Sequence, residues 1–180
     1  MRLFIAFDVS EEVKNYLVDL QKQLPKDAKL NPVKEFHLTL KFLGDMDDSK
    51  VDNIKALLSN VDFTQFTAKT SSLGIFPDEK TIRVVWVGLE PKDKITAFQK
   101  EIESALADLF PKDTRFHPHL TLARVKFVKD KKDFIDKIKK ISIKEIEFPV
   151  NSFKLIKSNL TPEGSVYEDV AEFSLKPLKK

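Results

Sequence analysis

His37-Leu38-Thr39-Leu40 and His119-Leu120-Thr121-Leu122 are the same four residues written twice. In an extended chain residues i and i+2 share a face. Each copy therefore sets an imidazole beside a hydroxyl on one side of a strand and two leucines on the other. That pattern gives a polar face to a cleft and an apolar face to a core. The second copy starts 82 positions after the first, a little under half of the 180-residue chain, which predicts two similar lobes meeting at one site. The chain has three histidines and nine threonines. Two His-x-Thr pairs arise by chance in roughly one such sequence in a hundred, before the shared leucines are counted.

Working outward from the first copy, Phe36–Leu43 reads as a strand. Gly44 and the acidic run Asp45–Ser49 read as a turn, and Val51–Leu58 has helical apolar spacing. The second copy repeats the unit, with a strand over His119–Phe127 and a lysine-rich helix over Asp130–Lys140 that turns Phe134, Ile135 and Ile138 inward. Before the first copy lie an alternating strand, Arg2–Asp8, and a helix capped by Ser10 that runs to about Leu24, ahead of Pro25. Between the copies, Phe66–Leu73 and Thr81–Leu89 read as strands joined by a wide loop holding Gly74, Pro77 and Asp78, followed by a helix over Pro91–Leu109. Three last strands are expected at Ile143–Phe148, Ser152–Ser158 and Ser165–Leu175, with a turn at Thr161–Gly164. No linker or low-complexity stretch divides residues 1–180, so one domain of two intimately packed lobes is expected. The class is α+β: two antiparallel sheets line a central cleft in a pseudo-twofold arrangement, and helices cover the outer faces.

Composition narrows the function classes. Hydrophobic residues make up 42% of the chain, as in a folded protein. No apolar run approaches the roughly 18 residues that cross a bilayer. Met1–Ser10 lacks the basic start and apolar stretch of a signal peptide, so the expected location is cytoplasmic, away from membranes. With no cysteine there is no disulfide framework, thiolate nucleophile or cysteine-based zinc site. Thirty-one basic and 28 acidic residues leave a net charge of +3, so any attraction to nucleic acid must come from local clustering. The four glycines form neither a phosphate-cradling loop nor a dinucleotide fingerprint, and no serine sits in a nucleophile elbow.

The repeated motif suits metal-free phosphodiester cleavage. Imidazoles titrate near neutrality, so one histidine can take a proton from the attacking group while the other gives one to the leaving oxygen. Hydroxyls of Thr39 and Thr121 can hydrogen-bond the non-bridging phosphate oxygens. A metal site is the rival reading, with His117, His119 and His37 as three ligands. It leaves both threonines unexplained, and Pro118 restricts the backbone of His117. No metal ligands are therefore assigned.

The extended motifs Phe36-His37-Leu38-Thr39-Leu40-Lys41-Phe42-Leu43-Gly44 and Phe116-His117-Pro118-His119-Leu120-Thr121-Leu122-Ala123-Arg124 resemble those of the two-histidine (2H) phosphoesterase superfamily. Within it they are most similar to the RNA 2′,3′-cyclic phosphodiesterases, also called bacterial and archaeal 2′-5′ RNA ligases. Arg2–Ala6, Gly74–Pro77, Arg83–Gly88, Leu160 and Gly164–Tyr167 extend the resemblance over nearly the whole chain. The resemblance implies a bilobal fold, no cofactor, and hydrolysis of RNA 2′,3′-cyclic phosphate ends to 2′-phosphomonoesters, with tRNA fragments among the substrates and a monomer as the working form. It makes His119 the proton acceptor, His37 the proton donor, and Thr39 and Thr121 the phosphate-holding pair. The same chemistry with an RNA 5′-hydroxyl replacing water as the attacking group joins RNA ends through a 2′-5′ bond. Arg124 resembles the family's phosphate-contacting arginine, and Phe42 holds the matching place in the first half, where it would stack on the terminal base. Strict alternation turns residues 42 and 124 away from the histidine face, so both roles require a bend or bulge near the strand end, and core packing is the expected role of Phe42. Phe76, on the Gly/Pro loop, and Tyr167, after a turn, are the other candidate substrate contacts. His117 is expected as a loop or supporting residue. The alternatives are a non-catalytic module that binds RNA or tRNA ends, and another two-histidine branch acting on 2′-5′ oligonucleotides, ADP-ribose cyclic phosphate or U-tailed small RNA.

Overall fold

Strand β1 (Arg2–Asp8) is buried on both faces over its five inner residues, and the fold is arranged around that fact. Leu3, Ile5 and Phe7 enter the main core, while Phe4 and Ala6 point the other way and join Ile156 and Tyr167 in a small second cluster. In the computed structural model, which describes residues 1–179, β1 is an inner strand of a four-stranded antiparallel sheet. Its order is β3 (His37–Asp45), β1, β8 (Ser152–Thr161), β9 (Gly164–Ser174).

The second sheet runs β2 (Lys29–Pro32), β6 (His119–Phe127), β5 (Ile82–Glu90), β4 (Phe66–Pro77), β7 (Glu147–Val150). Set side by side, β3-β1-β8-β9 and β6-β5-β4-β7 are equivalent four-strand arrays, with β2 added outside β6. The helices follow the same duplication. In one half α1 (Glu11–Gln23) precedes the motif strand β3 and α2 (Val51–Leu58) follows it; in the other α3 (Lys92–Ala105) precedes β6 and α4 (Lys131–Lys139) follows. Each helix buries one stripe: Val13, Leu17 and Leu20 on α1; Val51, Ile54 and Leu58 on α2; Ile95, Phe98 and Ile102 on α3; Phe134, Ile135 and Ile138 on α4. Ser10 caps α1 by accepting from the Val13 N–H at 3.3 Å. Among the described residues no helix is long and apolar enough to cross a membrane.

Three local expectations are corrected. The loop placed around Gly74 and Pro77 is strand, and only residues 78–81 separate β4 from β5. Gly74 lies in the strand because a Cβ there would stand 2.1 Å from Cζ2 of Trp86, so the missing side chain admits the indole. Gly44, expected in a turn, is inside β3 at φ 78°, beside a register shift against β1. Finally, β7 begins four residues later than expected, at Glu147.

Candidate active site

Both motif strands carry a bulge at the same place. Along β3, Thr39 pairs with Ala6 and Lys41 with Ile5, leaving Leu40 as the extra residue. Along β6, Thr121 pairs with Trp86 and Ala123 with Val85, leaving Leu122 extra. An inserted residue shifts the side-chain alternation by one. From the histidine onward, both strands therefore read half-buried, buried, half-buried, buried, buried, exposed. Phe42 and Arg124 turn to the same side as the histidines and threonines, and Phe42 is 72% exposed, which removes it from the core. The carbonyl of Leu122 is not wasted by the bulge: it accepts from the Val33 N–H at 3.0 Å and from Gln21 Nε2 at 2.8 Å.

The two strands open on one cleft of about 760 Å³. His37, Thr39, Phe42, His119, Thr121, Arg124 and Tyr167 all line it. Phe76 does not. It stacks on Trp86 with ring centroids 4.8 Å apart and meets His119 edge-on at 4.9 Å, so it stands behind the histidine as a support and not as a cleft wall.

The two imidazoles are held in different ways. His119 Nδ1 is 2.7 Å from the carbonyl oxygen of His117. A carbonyl only accepts, so Nδ1 carries the hydrogen and Nε2 is left as the acceptor of the neutral ring. Burial lowers the pKa of His119 below its usual 6.5, against the opposing pull of that hydrogen bond. His37 instead packs against Phe4 at 5.0 Å and meets Tyr167 edge-on at 5.2 Å. Burial pushes it down to about 4; the Asp8 carboxylate opposes the shift, and Arg124 and His119 add to it. At neutral pH both rings are neutral in the open cleft.

The His117 ring lies against Trp86 at 4.8 Å and Phe76 at 5.3 Å, with Nδ1 buried and unpartnered, while its carbonyl accepts from His119. Among the described residues no three His, Cys, Asp or Glu side chains converge as a metal-binding group. The residues that sequence reading missed are supports of this kind, Phe4 beneath His37 and Trp86 beneath His117. The tryptophan had a signal, as the chain's single Trp one strand away from a glycine that it needs.

Two antiparallel sheets built on a duplicated strand–helix unit, each bringing a His-x-Thr strand to one cleft, define a phosphoesterase of the two-histidine type. Residues 10–162 match the model of the 2′-5′ RNA ligase superfamily, and the chain belongs to that family. It is 38% identical to the RNA 2′,3′-cyclic phosphodiesterase of Methanocaldococcus jannaschii, over 96% of this chain and 100% of that protein. The protein of the same name from Thermotoga maritima is 34% identical, over 96% of this chain and 94% of its own length. Among solved structures, TT0787 of Thermus thermophilus superposes with a TM-score of 0.81 at 29% identity, covering 98% of this chain and 99% of that one. LigT of E. coli complexed with phosphate does so with a TM-score of 0.73 at 26% identity, covering 97% of each chain.

Proposed function

We propose that this protein hydrolyses RNA 2′,3′-cyclic phosphate ends to 2′-phosphomonoesters, with His119 as proton acceptor and His37 as proton donor. The observation that carries the assignment is the hydrogen bond from His119 Nδ1 to the His117 carbonyl, which leaves Nε2 of a cleft-lining histidine ready to receive a proton. In the reaction, Nε2 of His119 takes a proton from water as its oxygen attacks phosphorus. The bond from phosphorus to O3′ breaks, and His37 delivers a proton to the departing O3′. Thr39 and Thr121 donate hydrogen bonds to the non-bridging oxygens as charge builds on them, and Arg124 adds a fixed positive charge. A neutral His37 cannot act as an acid, and the substrate supplies the remedy: the bound phosphodiester anion favours the imidazolium form and restores its proton. Replacing water by an RNA 5′-hydroxyl, with the bond from phosphorus to O3′ again breaking and His37 again protonating O3′, gives a 2′-5′ linkage through the same groups, so ligation is the same displacement with another nucleophile.

The names of the relatives support the substrate class, and the phosphate in the E. coli LigT structure supports the anion subsite. Phe42 and Tyr167 flank the cleft on its aromatic side and suit the terminal base. We further assign tRNA fragments as substrates, a cytoplasmic location, and action as a monomer of one domain. Support for the single domain comes from a main core that takes in both sheets.

The test is turnover of a cyclic-ended oligonucleotide with identification of the product end. His37→Ala and His119→Ala should each cut kcat by about 10²–10⁴-fold with the fold intact by circular dichroism. Binding without turnover by the wild type would make the protein an RNA-end binder. Loss of activity on chelation, restored by added metal, would favour the metal reading.

A further inference from the structure

The Leu40 bulge that turns Phe42 into the cleft also turns Lys41 inward, 5% exposed, to face Glu103 near the end of α3. Lys41 Nζ lies 2.9 Å from each carboxylate oxygen of Glu103 and 2.9 Å from the carbonyl of Pro111. Glu103 Oε1 also accepts from Gln99 Nε2 at 2.9 Å and from the Asp113 N–H at 3.3 Å. Among the described residues this is the one salt bridge with both side chains buried, at 5% and 6% exposure. The matching position in the second motif is Ala123, fully buried and uncharged, so neither the bulge nor the strand requires a cation there. Nor does stability, since a buried ion pair commonly holds a fold no better than apolar residues of the same volume.

What the pair holds is a loop. Residues 111–115 are exposed, and their ties to the body of the protein include the Pro111 carbonyl and the Asp113 amide, both bonded to this pair. From there the chain runs through Arg115, Phe116 and His117, which line the cleft, to the carbonyl that orients His119. Three acceptors occupy all three ammonium hydrogens of Lys41, so it has none left for a substrate.

We infer that Lys41 and Glu103 are positioning residues: the pair ties the first motif strand to the loop entering the second and so fixes the His117 carbonyl, and with it the tautomer of His119. This rests on His119 being the proton acceptor of the proposed reaction. The test uses the full chain with both charges replaced, Lys41→Met/Glu103→Leu, so that no lone buried charge unfolds it. In ¹⁵N–¹H spectra of the wild type, His119 should be the Nδ1–H tautomer with a slowly exchanging proton. In the double variant that preference should weaken, and kcat should fall about tenfold or more, as for a slightly misplaced base, with KM within about threefold. Lys41→Met/Glu103→Gln also leaves no lone buried charge, keeps an acceptor oxygen for the Asp113 N–H, and serves the same two measurements at a smaller loss should the first double variant fail to fold. A wild-type tautomer and wild-type kcat in the folded variant would overturn the tether. A wild type that turns over no cyclic-ended RNA would sink the functional reading instead, and the tautomer measurement would still decide the tether.

Discussion

His37 and His119 come from identical tetrapeptides and reach different electrostatic states. Both sit below the ordinary 6.5, His37 at about 4, because the cleft walls strip water from the rings. The proposed roles need His37 protonated and His119 neutral, and kcat/KM reports the free enzyme. Its bell should therefore centre on the acid side of pH 6.5. In the complex the phosphate anion raises His37, so the kcat profile should lie at higher pH than the kcat/KM profile. Arg124→Met removes one of the charges that hold His37 down, so the limb belonging to His37 should move up in pH even as affinity for the phosphate falls. Steady-state rates from pH 4 to 9 on one cyclic-ended dinucleotide check both signs, and a kcat/KM maximum above pH 7 would contradict them. The motif residues themselves were legible in the sequence, because a hydroxyl at i+2 from an imidazole needs nothing beyond strand periodicity. The inequality of the two rings was not, since it depends on Asp8, Arg124 and the His117 carbonyl, which reach them through the fold.

At the level of elements, alternation located β1 and the two motif strands to within two residues, and the helical stripes located α2 and α4 as closely. What it could not locate were interruptions whose cause lies across the sheet. The bulges at Leu40 and Leu122 look like unbroken strand in the sequence, and only the demand that residues 42 and 124 share the histidine face hinted at them. β2 went unread because Lys29-Leu30-Asn31-Pro32 has no apolar alternation and is held by the edge of β6. Gly74 was read as turn chemistry, whereas it is a gap cut for Trp86. That gap makes a sharp prediction. In Gly74→Ala the new methyl must displace an indole already packed on His117 and on Phe76, whose ring meets His119. The cost should be about 1–3 kcal/mol by denaturant unfolding, typical of an overpacked site, together with lowered kcat. Trp86→Phe removes the colliding ring atoms, so the double variant Gly74→Ala/Trp86→Phe should recover stability relative to Gly74→Ala alone. Additive losses in the double variant would mean that the indole is not what Gly74 accommodates.

Across the whole molecule the duplication holds in strand order, apart from the added β2, and is broken in chemistry. The arrays β3-β1-β8-β9 and β6-β5-β4-β7 bring two equivalent His–Thr faces to one cleft, yet the first lobe adds Phe42, Phe4 and Tyr167 where the second adds Arg124. Aromatic rings gather around His37, with Arg2 also on that side, and Arg124 stands in the second motif strand, which suits a nucleotide held by its base near one histidine and its phosphate between the two. The net charge of +3 is spread over 31 basic and 28 acidic residues, many paired on the surface, as Lys137 is with Asp27 and Asp133, and Lys139 with Glu79. A protein so balanced has little long-range field with which to gather RNA. Affinity for a cyclic-ended single strand should then come from one or two phosphates in the cleft. Each contacted phosphate contributes a slope of about −0.7 in log K against log salt, so raising salt from about 50 to 200 mM should weaken binding only about three- to sevenfold. Fluorescence anisotropy of a labelled oligonucleotide on His119→Ala, which should bind without cleaving, measures this directly. A loss of a hundredfold or more over that range would require several further phosphate contacts, with the RNA running well beyond the cleft.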